Sequence, residues 1–221
     1  MSFAAMIAEP SLFHAAMLSL RIALAATAVA SLIGIPLAFW LARRRPIGKA
    51  IIETLITVPL VLPPTVVGYI LIRALGTQSL IGAWLKRHFD YTILFTEEGA
   101  VLAAFVVALP LLYIPAKAAF ANVDREMEDV ARLMGANRLQ IFWHVSLPFA
   151  RRGVMAGLML AFARALGEFG ATVMVLGTSP RLRTLPISIY LDLETGNPIG
   201  AVLLLTAVSV VVVYVLNRRI V

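Results

Sequence analysis

Apolar residues do not alternate along this chain; they gather into long runs with few or no charges, separated by short polar stretches. A helix rises about 1.5 Å per residue, so roughly 20 apolar residues cover the ~30 Å hydrocarbon core of a bilayer. Five runs approach that length: Ile22–Ala42, Thr54–Ile72, Gly99–Ala116, Gly153–Gly177 and Pro198–Asn217. The pattern predicts an all-α integral membrane protein with five transmembrane helices. A shorter apolar stretch, Leu185–Leu193, predicts a re-entrant or partial helix; as a true span it would make six crossings and move the N-terminus to the other side. The first run is followed by no small-residue cleavage site, so it reads as a retained span and not a signal peptide.

Composition supports this reading. Of 221 residues, 61% are hydrophobic and 14% charged, with a mean hydropathy of +0.91; a soluble domain has about 45–50% and about 25%. The net charge of +7 would suit nucleic acid, but its placement argues against that partner. With Arg43–Arg45 assigned to the cytoplasm, that side holds twelve basic residues: these three, Lys49, Lys117, Arg125, Arg132, Arg138, Arg151, Arg152, Arg218 and Arg219. The opposite side keeps five: Arg73, Lys86, Arg87, Arg181 and Arg183. The asymmetry predicts an N-out, C-in topology.

Inside the spans three features stand out. Small residues recur at every fourth position in the first span (Ala26, Ala30, Gly34, Ala38) and the fourth (Gly153, Gly157, Ala161, Ala165). They permit close helix packing, within one subunit or at a dimer seam. The second run carries Pro59, Pro63 and Pro64 and cannot be one regular helix, because each internal proline removes a backbone donor. It reads either as a kink or as a broken helix beside a pathway. Arg164 and Glu168, four residues apart near the middle of the fourth span, predict an ion pair. That pair either locks the bundle or, with Pro63 and Pro64, lines a pore or gate.

The longest polar interruption on the basic side, 122–152, is patterned as two short amphipathic helices. Asp124 is placed to cap the first, with Glu126, Glu128 and Asp129 in its early turns and Met127, Val130, Ala131 and Met134 on one face. Gly135 supplies the stop. Asn137 and Gln140 form the pattern of a capping box for a second helix, with Leu139, Phe142 and Trp143 as its apolar side, ending before Pro148. Apolar faces here imply either a partner protein or the lipid surface.

The spacing Asp129-Val130-Ala131, three residues, Gly135, nine residues, Val145-Ser146-Leu147-Pro148 resembles the EAA loop of bacterial ABC importer membrane subunits, E-A-A-x3-G-x9-I-x-L-P. Asp129, Val130 and Val145 are conservative departures from it. The run Ala163–Thr172 (ARALGEFGAT), Leu62–Gly68 (LPPTVVG) and Thr184–Tyr190 (TLPISIY) resemble the molybdate permease family, over roughly Leu12 to Arg219. Sulfate and thiosulfate permeases share parts of these runs but are usually longer. The resemblance implies a type I importer permease, one transmembrane domain over 1–221 with a coupling segment at 122–152, in the bacterial inner membrane with its C-terminus in the cytoplasm. It implies ATPase coupling through Asp129, Val130, Ala131, Gly135, Asn137, Val145, Leu147 and Pro148. It further implies a homodimer, two copies of an ATP-binding subunit carrying ATP and Mg, and a periplasmic protein delivering molybdate or tungstate.

No G-x-x-x-x-G-K-[ST] loop occurs, so ATP hydrolysis is expected on another chain. His14, His88 and His144 are scattered, no nucleophile elbow is present, and no metal site, cofactor or catalytic residue is predicted here. The alternatives are a sulfate/thiosulfate ABC permease and, from another class, a proton-coupled secondary transporter using Arg164 and Glu168 as its relay. Only the Thr57–Ile72 stretch is strongly proline-broken, whereas such carriers break helices in both halves. A membrane scaffold protein is a third option.

Overall fold

The computed structural model describes residues 10–44, 46–178, 182–195 and 198–220. Arg45 and Arg181, two of the charges in the topology count, lie outside the described residues, as does the side chain of Arg219. Every element formed by the described residues is helical. In chain order these are α1 (Pro10–Arg43), α2 (Lys49–Thr57), a 3-10 turn (Val58–Leu60), α3 (Pro64–Leu75), α4 (Leu80–Phe89) and α5 (Glu97–Ala121). They continue with α6 (Arg125–Leu133), α7 (Arg138–Ile141), a π-helical turn (Phe142–Ser146), α8 (Leu147–Leu166), α9 (Gly170–Leu176), α10 (Leu185–Thr195) and α11 (Ile199–Ile220).

α1 begins at Pro10, twelve residues before the expected start at Ile22. The helix runs through Arg21, whose guanidinium pairs with Glu97 at the start of α5 (3.1 Å). At the other end Arg43 pairs with Glu128 (2.7 Å). Twenty-two residues separate these arginines, about 33 Å of helix, so the two ion pairs bracket a bilayer's thickness.

The proline-rich run breaks as its chemistry requires. α2 ends at Thr57, the 3-10 turn contains Pro59, and α3 restarts with Pro64 at its first position, where a missing N–H costs no helical bond. The two halves are bent by 116°. They still cross the bundle: Lys49 Nζ donates to Leu41 O near the Arg43 end (2.6 Å), while the last turn of α3 shares a cleft with Leu94 and Phe95, next to the start of α5.

The fourth run departs from a single span over 153–177. Its helix begins much earlier, at Arg138, and passes through the π turn into α8. The second short helix therefore does not end before Pro148. Leu147 N–H donates to Phe142 O, five residues back, and this widened turn accommodates a proline that offers no donor. At the far end the helix stops at Leu166, and Gly167–Phe169 separate it from α9, whose Val175 O accepts from Phe95 N (3.0 Å). The stretch Leu185–Leu193 forms the expected partial helix, α10; Leu185 N donates to Ser19 Oγ near the Arg21 end (2.8 Å).

α5 lies between α1 and α8 and is the most buried of the long helices. The two small-residue stripes face it. Ala26, Ala30 and Ala38 are fully buried in α1. A Cβ on Gly34 would come within 3.0 Å of Leu109, one on Gly157 within 2.8 Å of Leu112 O, and one on Gly153 within 2.4 Å of the Ala119 Cβ. The stripes thus serve helix packing inside one chain.

Candidate functional site

The segment at the Arg43 end is built as its sequence pattern predicts, with one inversion. Asp124 caps α6, accepting from Glu126 N (2.9 Å). Asn137 Oδ1 accepts from Gln140 N (2.9 Å) while Gln140 Oε1 accepts from Asn137 N (2.8 Å), the full capping box. Gly135 turns the chain with φ +89°, a conformation that favours glycine.

The apolar face of this helix pair points away from the bundle. Leu133 is 89% exposed and Met134 83%, with Met127, Val130, Leu139 and Trp143 also exposed. Phe142 is the exception to the expected outward side; it turns inward against Phe39 and Phe120 at centroid distances of 5.1 and 6.0 Å. Ala131, Gly135 and Val145 line an open cleft of about 420 Å³ between the two helices, with Met134, Gln140 and His144. Asp129 stands outside that cleft and, among the described residues, pairs with Arg132 alone (2.5 Å). Leu147 and Pro148 begin α8.

The acid that holds the segment to the bundle is one that sequence reasoning placed only in a helix's first turns. Glu128 is 3% exposed. Its Oε1 accepts from Arg43 Nε (2.9 Å) and from Ser146 Oγ (2.7 Å), and Arg43 Nη2 also donates to Val123 O (2.9 Å). Arg43 and Glu128 are 85 positions apart, so no local pattern signals the pair.

A second polar group at the same end joins α2 to α5. Glu53 Oε1 lies 2.6 Å from Lys117 Nζ and accepts from Tyr113 OH (3.2 Å), at the edge of a cleft of about 550 Å³. No local sequence pattern signals this cluster, since Glu53 lies some 60 positions from Tyr113 and Lys117.

In the membrane interior Arg164 Nη1 lies 2.5 Å from Glu168 Oε2. Glu168 is outside the helix, in the break, and its Oε1 accepts from Ala171 N (2.8 Å), so it caps α9 as well as pairing with Arg164. The Glu168 carboxylate is stabilised from two sides, by the arginine and by the positive end of the half-helix. Gly157 sits opposite Leu112, and two further turns place Arg164 level with Phe105, within about one turn of the middle of the uncharged part of α5. The break also meets the proline break: a Cβ on Gly170 would come within 2.9 Å of Pro64 Cβ, and one on Gly68 within 3.0 Å of Ala171 Cα. Half-helices α3 and α9 therefore lie side by side with their N-termini adjacent. Arg164, Glu168 and Pro64 share one locality, with Pro63 as the residue preceding α3.

Fold and site together define a multi-helix membrane protein that carries an exposed, apolar two-helix segment at one end. The chain belongs to the family of binding-protein-dependent transport system inner membrane components, whose pattern matches residues 34–221. It is 39% identical over 191 residues to the molybdenum transport system permease protein of Escherichia coli (strain K12), covering 86% of this chain and 83% of that protein. It is 41% identical over 221 residues to the molybdenum transport system permease protein of Mycobacterium tuberculosis (strain ATCC 25618 / H37Rv), covering 98% and 83%. In fold it is similar to a chain from the crystal structure of a bacterial ABC transporter involved in the import of the acidic polysaccharide alginate, with a TM-score of 0.73, 15% identity, and coverage of 99% and 82%.

Proposed function

We propose that this chain is the membrane-spanning subunit of an ATP-driven importer of molybdate, with tungstate as a second cargo, and that segment 122–152 seats on a separate ATP-binding subunit. The observation that carries the proposal is the outward apolar face of α6 and α7. Large apolar side chains gathered on a membrane protein's polar end are stabilised when a partner covers them. The names of the relatives support molybdenum as the cargo. The basic end of the bundle is assigned to the cytoplasm, with the C-terminus there, so that the segment meets ATP.

Two copies of the chain enclose the pathway. What supports this reading is Arg164, whose side chain keeps 30% of its surface uncovered at mid-membrane depth while Glu168 is buried. An arginine head on the lipid face is costly, so that surface belongs against water or a second copy. Two ATP-binding subunits, holding ATP and Mg, close onto the two docking segments and shift the dimer between inward-open and outward-open packings. A periplasmic binding protein delivers the oxyanion.

The test is ATP-dependent uptake of labelled molybdate by the complete complex in proteoliposomes, with tungstate and sulfate as competitors. Molybdate and tungstate are expected to compete with each other and sulfate is not. A preference for sulfate overturns the cargo. Uptake by this chain alone under a pH gradient overturns the ATP-driven mechanism in favour of a proton-coupled carrier.

A further inference from the structure

We propose that Glu128, and not the neighbouring Asp129, is the positioning residue through which the two-helix segment drives the membrane bundle; this rests on the reading of 122–152 as the coupling segment. α6 is inverted relative to an ordinary surface helix, with its apolar residues outward and one acid inward. That acid joins three elements at one oxygen. Arg43 reaches Glu128 Oε1 from the last turn of α1 with Nε (2.9 Å) and Nη2 (2.7 Å). Ser146 reaches it from the π turn at the root of α8 (2.7 Å). Arg43 Nη2 further holds Val123 O, just ahead of α6 (2.9 Å). Arg132, at 3.8 Å from Oε2, is too far to hydrogen-bond and contributes charge alone.

Phe39, Phe120 and Phe142, in mutual contact at 5.1–6.0 Å, pack beside this junction between α1, α5 and the π turn. A pivot of α6 away from the bundle would strip Glu128 of its partners in a poorly hydrated site, where an unpaired charge is strongly disfavoured. Pressure on Leu133 or Met134 is therefore delivered to α1 and α8 together. Asp129, 62% exposed at its side chain, lies on the side open to the partner and, among the described residues, is bonded to Arg132 alone, with no such link to the bundle.

The readout is the number of molybdate ions imported per ATP hydrolysed, measured in proteoliposomes with the complete complex. Wild type, Glu128→Gln, Ser146→Ala, the double apolar variant Arg43→Met/Glu128→Met, and Asp129→Asn are compared. A buried ion pair that serves only stability is often replaceable by apolar residues of similar size, so the double variant separates a stability role from coupling. Glu128→Gln and the double variant are expected to copurify with the ATP-binding subunit and to lose about tenfold or more in ions per ATP, the scale of losing one charge-assisted hydrogen bond. Ser146→Ala, which removes a neutral donor and leaves the pair intact, is expected to lose less, about two- to fivefold. Wild-type ratios in both Glu128→Gln and Ser146→Ala overturn the proposal, as does a loss confined to Asp129→Asn. If Glu128→Gln fails to assemble, the Ser146→Ala ratio alone decides. Absence of ATP-dependent import by the wild-type complex would instead remove the underlying reading of the segment.

Discussion

The turn at Gly135 separates backbone conformation from side-chain bulk. Its φ is +89°, and a Cβ built there meets nothing within 4 Å. Space is therefore not limiting, and the cost of any side chain is that of holding an L residue at positive φ, about 1–2 kcal/mol. At about 1.4 kcal/mol per tenfold, that is roughly a 5- to 30-fold loss in the population of the native turn. Asparagine visits this region several-fold more readily than other residues, and β-branched residues least. The expected order of function is Gly135, then Gly135→Asn, Gly135→Ala and Gly135→Val. Copurification of the ATP-binding subunit and ATP-driven molybdate uptake, measured on the four proteins, are expected to fall together along that series. Equal behaviour of all four would show that the turn is not needed for docking. An asparagine variant worse than valine would refute the conformational argument.

Three further outcomes follow from the packing and the ion pairs. Gly153→Val and Gly157→Val force a side chain into Ala119 Cβ and Leu112 O; each is expected to cost about 1–3 kcal/mol and to lower the thermal midpoint of the detergent-purified protein, and unchanged midpoints would contradict the close approach of α5 and α8. Asn137→Ala removes the side-chain acceptor for Gln140 N and keeps the backbone donor to Gln140 Oε1; it is expected to cost about 1 kcal/mol locally, read as faster amide exchange over residues 138–141 with no change in the membrane helices. Glu168→Ala strands Arg164 and uncaps α9; losing one member of a buried pair costs about 3–5 kcal/mol, so membrane expression should drop. Arg164→Met with Glu168→Gln should restore expression without restoring uptake, and recovery of both would assign the pair a structural role only.

What the sequence made legible was local. Asp124, Gly135 and the Asn137–Gln140 box act within four residues of themselves, and each forms as its pattern predicts. The proline break is equally local, since Pro63 and Pro64 carry their own prohibition on helix. Charge marks the edge of a membrane and not the end of a helix: the uncharged run begins after Arg21, yet α1 begins eleven residues earlier, with Arg21 paired to Glu97 of another helix. The interruption at 167–169 is not legible from the four-residue spacing of Arg164 and Glu168, which suits a continuous helix; Glu168 instead accepts from Ala171 N and caps the next one. The π turn before Pro148 is a choice of hydrogen-bond partner and leaves no signature in hydrophobicity. Glu128 and Arg43, and Glu53 with Lys117, are long-range pairs that one sequence cannot join.

The most direct test of the account is protection of the docking face. The chain has no cysteine, so Leu133→Cys gives a single thiol on a side chain that is 89% exposed. Its rate of maleimide labelling is measured in membranes with and without the ATP-binding subunit. The account predicts fast labelling of the subunit alone and strong protection, on the order of tenfold or more, in the complex, as burial in a well-packed interface requires. Equal labelling rates in the two preparations would contradict the claim that this face is where ATP hydrolysis meets transport.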